Sequence, residues 1–357
     1  MRDIEFHNRE REMKEIRSIL DSRPTLITFI YGPINSGKTE LITHTIEELP
    51  EEYVVFYINL RTKFLSSYDD FIESLFEMEM ESEGALKKGK ETLTELVSSI
   101  TKVAGIPITK EFLDYVFKDN KPKNAFSYII KLFLEVRATG KQPILILDEL
   151  QKIGAVHVNG SLIYELFNFF IDLTKEKHLA HVFVATSDSL FMESVYSEAM
   201  LQGRCRYLLV NDFDEATTAA FLEGYGFTDD EARIAWDYCG GKPVYLIELV
   251  NCENREEKAG QLLALRTGEI KTTLKRVKEL GSEIRIEDRS YAVDYAGLVD
   301  TLKRFVERDG IDMGEVDEIS TTFLVKKNIL FVDPLTMMMK PQSELNLLAI
   351  REVMKDV

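Results

Sequence analysis

Short runs of consecutive apolar, β-branched-rich residues alternate along the first half of the chain with segments whose apolar positions recur at helical spacing. Residues 26–31, 53–60, 143–147, 181–185 and 205–210 are runs of the first kind. Without polar alternation they predict strands buried on both faces, which is the habit of a parallel sheet. Before the first run, Met13, Ile16, Ile19 and Leu20 share one helical face, with Asn8 as N-cap. After the third, Tyr164, Phe167, Phe170 and Ile171 do the same, and core packing is the simplest reading of that stripe. Residues 68 to 138 read as mostly helical, broken at Gly105-Ile106-Pro107. That is too long for one crossover helix and predicts an insertion. Its acidic run 77–83 reads as a solvated face or loop. Beyond Asn211-Asp212 the strand pattern stops. Helical segments parted by Gly224, Gly226 and Gly240-Gly241 run to about residue 265. The rest is expected to be helical up to a hairpin, in which residues 329–333 and 337–340 flank Pro334-Leu335-Thr336. A closing helix starts at Ser343.

The expected architecture is therefore α/β. A parallel five-stranded unit spans 1–211 with a helical insertion at about 68–138, a helical unit spans 212–265, and a third unit spans 266–357. A length of 357 residues fits two or three domains. The shares of 45% hydrophobic and 29% charged residues are those of a soluble globular protein. No apolar run approaches bilayer length, which argues against a membrane partner. Met1-Arg2-Asp3-Ile4-Glu5 is no signal peptide. Cys205, Cys239 and Cys252 are scattered and offer neither a disulfide framework nor zinc spacing. These features point to the cytoplasm. A net charge of −17 argues against nonspecific nucleic-acid binding by the whole surface, while leaving room for one small basic face.

Between the first strand and a helix beginning near Glu40 stands Gly32-Pro33-Ile34-Asn35-Ser36-Gly37-Lys38-Thr39. This is G-x-x-x-x-G-K-[ST] in its required strand–loop–helix setting, the pattern of a phosphate-binding loop. The glycines allow a tight turn and close approach of backbone to phosphate. Successive N–H groups form an anion nest, reinforced by the helix N-terminus. Lys38 would reach the terminal phosphates of a nucleotide, and the Thr39 hydroxyl would bind Mg2+. The run at 143–147 leads into Asp148-Glu149, at the carboxyl end of a buried parallel strand, where ligands bind in such sheets. Asp148 would hold the metal shell, and Glu149 would polarise the attacking water. An acidic pair can also simply cap the next helix. The run at 181–185 leads into Thr186-Ser187, placed to sense a γ-phosphate; Ser187 and Asp188 would equally serve as helix caps. With the loop upstream, Asp148-Glu149 resembles the branch of phosphate-loop ATPases that carries its catalytic glutamate beside the metal-binding aspartate, and that resemblance implies that this run lies between the loop strand and the Asp148 strand.

The chain resembles the archaeal AAA-like ATPases, relatives of the STAND and origin-recognition ATPases, over nearly its whole length. Besides the loop and Asp148-Glu149, the likeness rests on Phe6-His7-Asn8-Arg9-Glu10-Arg11-Glu12, Gly203-Arg204, Gly240-Gly241-Lys242-Pro243, and the tail stretches 327–334 and 340–343. The resemblance implies that Phe6, Asn8 and Arg9 lie against the adenine. It implies that Gly32, Pro33, Asn35, Ser36, Gly37, Lys38, Thr39 and Glu40 surround the phosphates. Arg204 would approach the γ-phosphate, Pro243 of a helical lid would pack near the base, and residues 266–357 would form a winged-helix-like domain. Where many relatives carry a glycine-serine pair or an arginine after the sensor strand, this chain has Ser187-Asp188, which leaves Arg204 as the main cationic candidate.

An ATP-hydrolysing, Mg2+-dependent switch is the leading expectation, with Lys38, Glu149 and Arg204 as its catalytic groups and an unidentified protein effector as partner. A nucleotide-regulated DNA-binding protein, using the basic cluster Lys271, Lys275, Arg276 and Lys278, is an alternative, and so is a slow-turnover ADP-bound scaffold. The oligomeric state is open, as is whether Arg204 serves its own chain or a neighbour.

Overall fold

The structure is a computed structural model that describes residues 4–76, 92–109, 112, 115–116, 121–155, 162–198, 201–286 and 289–357. The buried runs form a parallel sheet of β1 (Ile27–Tyr31), β2 (Tyr53–Asn59), β3 (Lys102–Ala104), β4 (Gln142–Asp148), β5 (His181–Thr186) and β6 (Cys205–Leu209), in the order β3-β2-β4-β5-β1-β6. As the resemblance of the Asp148-Glu149 pair implies, β5 lies between β1 and β4. The registers Tyr31↔Thr186 and Asn59↔Asp148 bring the last residues of four strands to one edge. Whatever follows β1, β2, β4 and β5 therefore meets there.

Five strands were expected and six are present. The addition is β3, inside the stretch expected to be helical. It has three residues, none of them buried, so it carries no hydrophobic signature. It is held by pairing to β2 at Val55↔Lys102 and by Gly105 N–H donating to the Tyr57 carbonyl at 2.7 Å. The acidic run 77–83 lies outside the described residues.

The helices around the sheet are α1 (Glu10–Leu20), α2 (Lys38–Glu48), α3 (Tyr68–Leu75), α4 (Leu93–Ser99), α5 (Lys121–Ala138), α6 (Leu162–Ile171) and α7 (Ser189–Glu198). Alternate strand residues face opposite sides. Ile27, Phe29 and Tyr31 pack with Phe71, Phe133 and Phe167 on one face. Ile30, Ile144 and Phe183 pack with Ile16, Leu41 and Ile42 on the other. Of the stripe on α6, Phe167, Phe170 and Ile171 are core, with Phe167 stacked on Phe29 at 5.8 Å, while Tyr164 is exposed. Asn8 is not the cap of α1. Arg9 holds that position, and Asn8 adopts φ 42°, with its Nδ2 donating to Thr217 Oγ1 at 2.8 Å.

Next comes a helical unit of α8 (Glu215–Gly224), α9 (Asp229–Cys239) and α10 (Pro243–Val250). Asp214 caps α8, a Thr228–Glu231 capping box starts α9, and Pro243 opens α10 at the position where a missing N–H costs nothing. The 26-residue α11 (Arg255–Leu280) is about 39 Å long. Its Ala259 belongs to the core of these helices, and its Ile270, Leu274 and Val277 belong to the core of the C-terminal unit.

That C-terminal unit contains the hairpin β7 (Glu283–Ile286) and β8 (Arg289–Ala292), then α12 (Tyr295–Lys303), β9 (Ile311–Asp312), α13 (Glu318–Lys326), β10 (Leu330–Asp333), β11 (Met338–Pro341) and α14 (Glu344–Met354). The expected 330s hairpin is β10–β11, joined by β9 in an antiparallel sheet of order β10-β11-β9. The uninterrupted helix expected before it is broken by β7, β8 and β9. Every residue of β8 is exposed and β9 has two residues, so neither prints a strand pattern. Among the described residues, no helix is long and apolar enough to cross a membrane.

Candidate functional site

Tyr31 ends β1 and Lys38 begins α2, and the turn between them demands unusual backbone angles. A Cβ on Gly32 would sit 2.1 Å from the Val210 carbonyl oxygen. Asn35 and Gly37 have φ 59° and 91°, and Gly37 is the N-cap of α2. Pro33 and Ser36 are buried, while Asn35 and Glu40 are exposed. Lys38 is buried, and its Nζ donates to the carbonyls of Gly32 at 3.0 Å and Pro33 at 2.8 Å. Burial, reinforced by the nearby charge of Lys242, pushes the Lys38 ammonium down to about 7 against the opposing pull of Glu149 and Asp148. Arg9 braces the loop from outside. Its Nη2 donates to the Ser36 carbonyl at 2.7 Å, Nη1 pairs with Glu12 at 3.0 Å, and the guanidinium lies 4.7 Å from the Phe213 ring centre.

The two carboxylates expected on β4 stand beside this loop in different environments. Asp148 is buried, and its Oδ2 accepts from Thr39 Oγ1 at 2.7 Å and from Tyr57 OH at 3.0 Å. Asn59 Nδ2 in turn donates to Tyr57 OH at 3.2 Å. Among the described residues there is no cluster of three His, Cys, Asp or Glu that could chelate a metal alone. One hydroxyl and one carboxylate fit a cation whose shell is completed by phosphate and water oxygens, the usual habit of Mg2+. Glu149 has φ 60°, a left-handed conformation that costs energy in a residue with a side chain. Its carboxylate is ion-paired with Arg61 and accepts from Gln151 Nε2 at 2.7 Å. Gln151 Oε1 accepts from Thr186 Oγ1 at 2.9 Å. Thr186 is thus joined to Glu149 through one amide. Ser187 is half-buried beside it, and the cap of α7 is Asp188, whose Oδ1 accepts from Leu190 N at 3.0 Å and Phe191 N at 3.1 Å.

The helical unit closes on the loop through Gly240-Gly241-Lys242-Pro243. A Cβ on Gly241 would lie 1.8 Å from the Phe213 carbonyl oxygen, so only glycine lets the two strands of chain meet. Pro243 is half-buried at the head of α10. Sequence reasoning missed the residue before it. Lys242 is 2% exposed, and its Nζ donates to the Ile34 carbonyl at 2.9 Å and pairs with Asp212 Oδ1 at 2.9 Å. Burial pushes Lys242 down and Asp212 up, each countered by the other. Tyr57, Arg61 and Gln151 were also missed. Their one available signal was position: all lie at or just past the carboxyl ends of β2 and β4.

Phe6 stacks on His44 of α2 at 3.9 Å, and Asn8 is tied to Thr217 of α8. Arg204 is not brought to this edge. Its carbonyl accepts from Ile27 N at 3.0 Å, at the start of β1, whereas the loop leaves β1 from Tyr31. Five strand residues separate the two levels, about 17 Å. Within one chain Arg204 cannot touch a phosphate held by residues 32–39.

The family model described as an ATPase domain predominantly from Archaea matches residues 6–249. A second, the C-terminal domain of MJ1010-like ATP-binding proteins, matches residues 256–354. An ATP-binding protein of Pyrococcus abyssi is 48% identical over 351 residues, covering 98% of this chain and 99% of that protein. One of Methanocaldococcus jannaschii is 44% identical over 368 residues, covering 99% and 98%. The solved structure of a Walker-type ATPase of Pyrococcus abyssi shares the fold at 15% identity, with a TM-score of 0.64 over 97% of this chain and 96% of that one. The strand order, the loop between β1 and α2 and these matches agree, and the chain belongs to the family of archaeal ATPase domains.

Proposed function

We propose that this chain binds ATP with Mg2+ at residues 32–39, hydrolyses it, and uses the change to move its helical lid and its C-terminal unit. The observation that carries the reading is the 2.7 Å contact between Thr39 Oγ1 and Asp148 Oδ2, which joins the loop to β4 where a cation would sit. Bound Mg–ATP supplies the labile phosphoanhydride and a cation that offsets the charge developing on the transferred group. Lys38 and the loop N–H groups hold the phosphates, and Lys38 stabilises the added charge. Glu149, with Arg61 and Gln151 fixing its two oxygens, orients the attacking water, and Thr186 reaches the same water through Gln151. Lys242 gives the lid a direct hold on the loop, so a change at the phosphates is felt at the head of α10.

The helix–strand–helix–hairpin order of α12 to β11 suits a winged helix, with the turn after Asp333 as the wing. A protein effector is the partner we favour for it. The basic cluster proposed for DNA is largely engaged within the chain: Lys271 pairs with Asp356 at 2.6 Å, Lys275 approaches Glu279 at 3.9 Å, and Lys278 lies over the Tyr295 ring.

Phosphate release and calorimetric ATP binding, measured side by side, test the reading. Glu149→Gln should keep its affinity and lose about 10²- to 10⁴-fold in turnover. Lys38→Ala should lose binding itself. Unchanged turnover in Glu149→Gln removes the role given to Glu149, and unchanged binding in Lys38→Ala removes the site.

A further inference from the structure

Among the described residues, three donors reach the Asp148 carboxylate, and they differ in how firmly they are built in. Oδ1 accepts from the backbone N–H of Glu149 at 2.9 Å. Oδ2 accepts from Thr39 Oγ1 at 2.7 Å and from Tyr57 OH at 3.0 Å. Thr39 belongs to the loop, whereas Tyr57 belongs to β2, which pairs with β4. The register sets Tyr57 against Ile146 and Asn59 against Asp148, so the four side chains share one face of the sheet. The phenol of Tyr57 therefore bridges two residues along the strands, about 7 Å, to meet the carboxylate. Its ring packs against the core that holds Ile146 and Phe183.

A phenol has one proton to give, and here its direction is set by the neighbours. The backbone N–H of Arg61 can only donate, and it donates to Asn59 Oδ1 at 2.8 Å. That turns the amide nitrogen of Asn59 toward Tyr57, where it donates to the phenol oxygen at 3.2 Å. The phenol proton is left for Asp148. A lysine or arginine in this place would also hold the carboxylate, but its charge would compete with a cation. A phenol is uncharged at neutral pH and does not. Resting on the Mg2+–nucleotide reading above, we propose that Tyr57 is a positioning residue for the cation, fixing the Asp148 carboxylate in the orientation that receives it. Thr39 is the donor that gives way when the cation arrives. Tyr57 and the Glu149 N–H, one on each oxygen, remain and keep the carboxylate from turning. Removing a group that orients a metal-binding side chain in this way costs about 10- to 100-fold in metal affinity.

Tyr57→Phe keeps the ring and removes the donor. The full chain is loaded with one equivalent of a non-hydrolysable ATP analogue without Mg2+, and Mg2+ is then titrated in by calorimetry. Tyr57→Phe should weaken Mg2+ binding about tenfold, and the half-saturating Mg2+ for phosphate release from ATP should rise by the same factor. Affinity for the analogue without Mg2+ should stay within about twofold, which a general loosening of the site would not spare. On an Asp148→Asn background, Tyr57→Phe should add less than about twofold, because Tyr57 acts through Asp148. Mg2+ affinity of Tyr57→Phe within about twofold of the unaltered chain, or an equal loss on both backgrounds, overturns the inference. If Asp148→Asn alone weakens Mg2+ in that case, the nucleotide reading stands and only Tyr57 loses its role. If Asp148→Asn leaves Mg2+ binding unchanged, the cation site falls and this inference falls with it.

Discussion

The two edges of the central sheet both bury ionisable groups, but they do so in opposite ways. At the carboxyl edge the buried cations of the described site are partnered: Lys38 has two carbonyls, Lys242 has a carbonyl and an ion pair with Asp212, and Arg9 has a carbonyl and Glu12. At the amino edge His181 is 3% exposed, its Nε2 has no hydrogen-bond partner, and burial together with Arg206 pushes its imidazole down to about 4. Desolvation pushes Lys38, Lys242 and His181 alike toward their neutral forms, and what differs is the neighbouring charge: carboxylates pull Lys38 and Lys242 back, whereas Arg206 adds to the push on His181. The carboxyl edge holds titratable amines beside carboxylates, where an arriving anion would favour their charged form. The amino edge keeps its histidine neutral and packs it as core. Changes at the first edge should therefore appear in ligand binding and in ion-pair energetics, and changes at the second in stability alone.

The largest expected effect comes from splitting the buried pair. Lys242→Met leaves Asp212 uncompensated and should cost about 3–5 kcal/mol in denaturant unfolding. Adding Asp212→Asn should restore most of it, and equal losses in the single and double variants would sever the two residues. Next is acid sensitivity at the amino edge. His181 has its folded pKa below the ordinary 6.5, so the unfolded chain takes up a proton that the folded chain refuses. Stability should be full above pH 6.5 and should fall by at most roughly 3 kcal/mol on the way to pH 4. His181→Phe should flatten that part of the pH profile without altering nucleotide affinity.

A smaller effect belongs to Lys38. Its folded pKa of about 7 means that above pH 7 the amine is neutral and must gain a proton to hold phosphate. Affinity should be highest at or below pH 7 and fall by up to about tenfold per unit above it. Calorimetry at pH 8 in two buffers of different ionisation enthalpy should report proton uptake on binding, and identical enthalpies would refute it. The smallest effect is at Arg204. Because it immediately precedes β6 at the amino edge, Arg204→Ala should change nucleotide affinity of the isolated chain by less than about twofold. A large loss there would mean that the edges are not separated as described.

The legible parts of the molecule were those written in contiguous residues. Residues 32–39 and Asp148-Glu149 announce their chemistry through types at fixed spacing, and β5 announces itself as an unbroken buried run. β3 is too short and too exposed to leave a pattern. Lys242 and Gln342 reach Ile34 across 208 and 308 residues, so nothing local distinguishes them from surface side chains. The position of Arg204 was legible in principle. In a parallel sheet, a residue just ahead of a strand lies on the edge away from the ligand-binding ends, whereas the resemblance to relatives implies a place beside the γ-phosphate. The φ of Glu149 could not be read at all, since left-handed backbone in a non-glycine residue is imposed by its surroundings.

A crystal structure with a non-hydrolysable ATP analogue and Mg2+ tests the central claim most directly. The triphosphate should lie within the turn from Gly32 to Thr39, with the cation between the Thr39 hydroxyl and the Asp148 carboxylate and the direct contact between those two opened. A turn left empty at saturating analogue, or a nucleotide bound anywhere else on the chain, would contradict it.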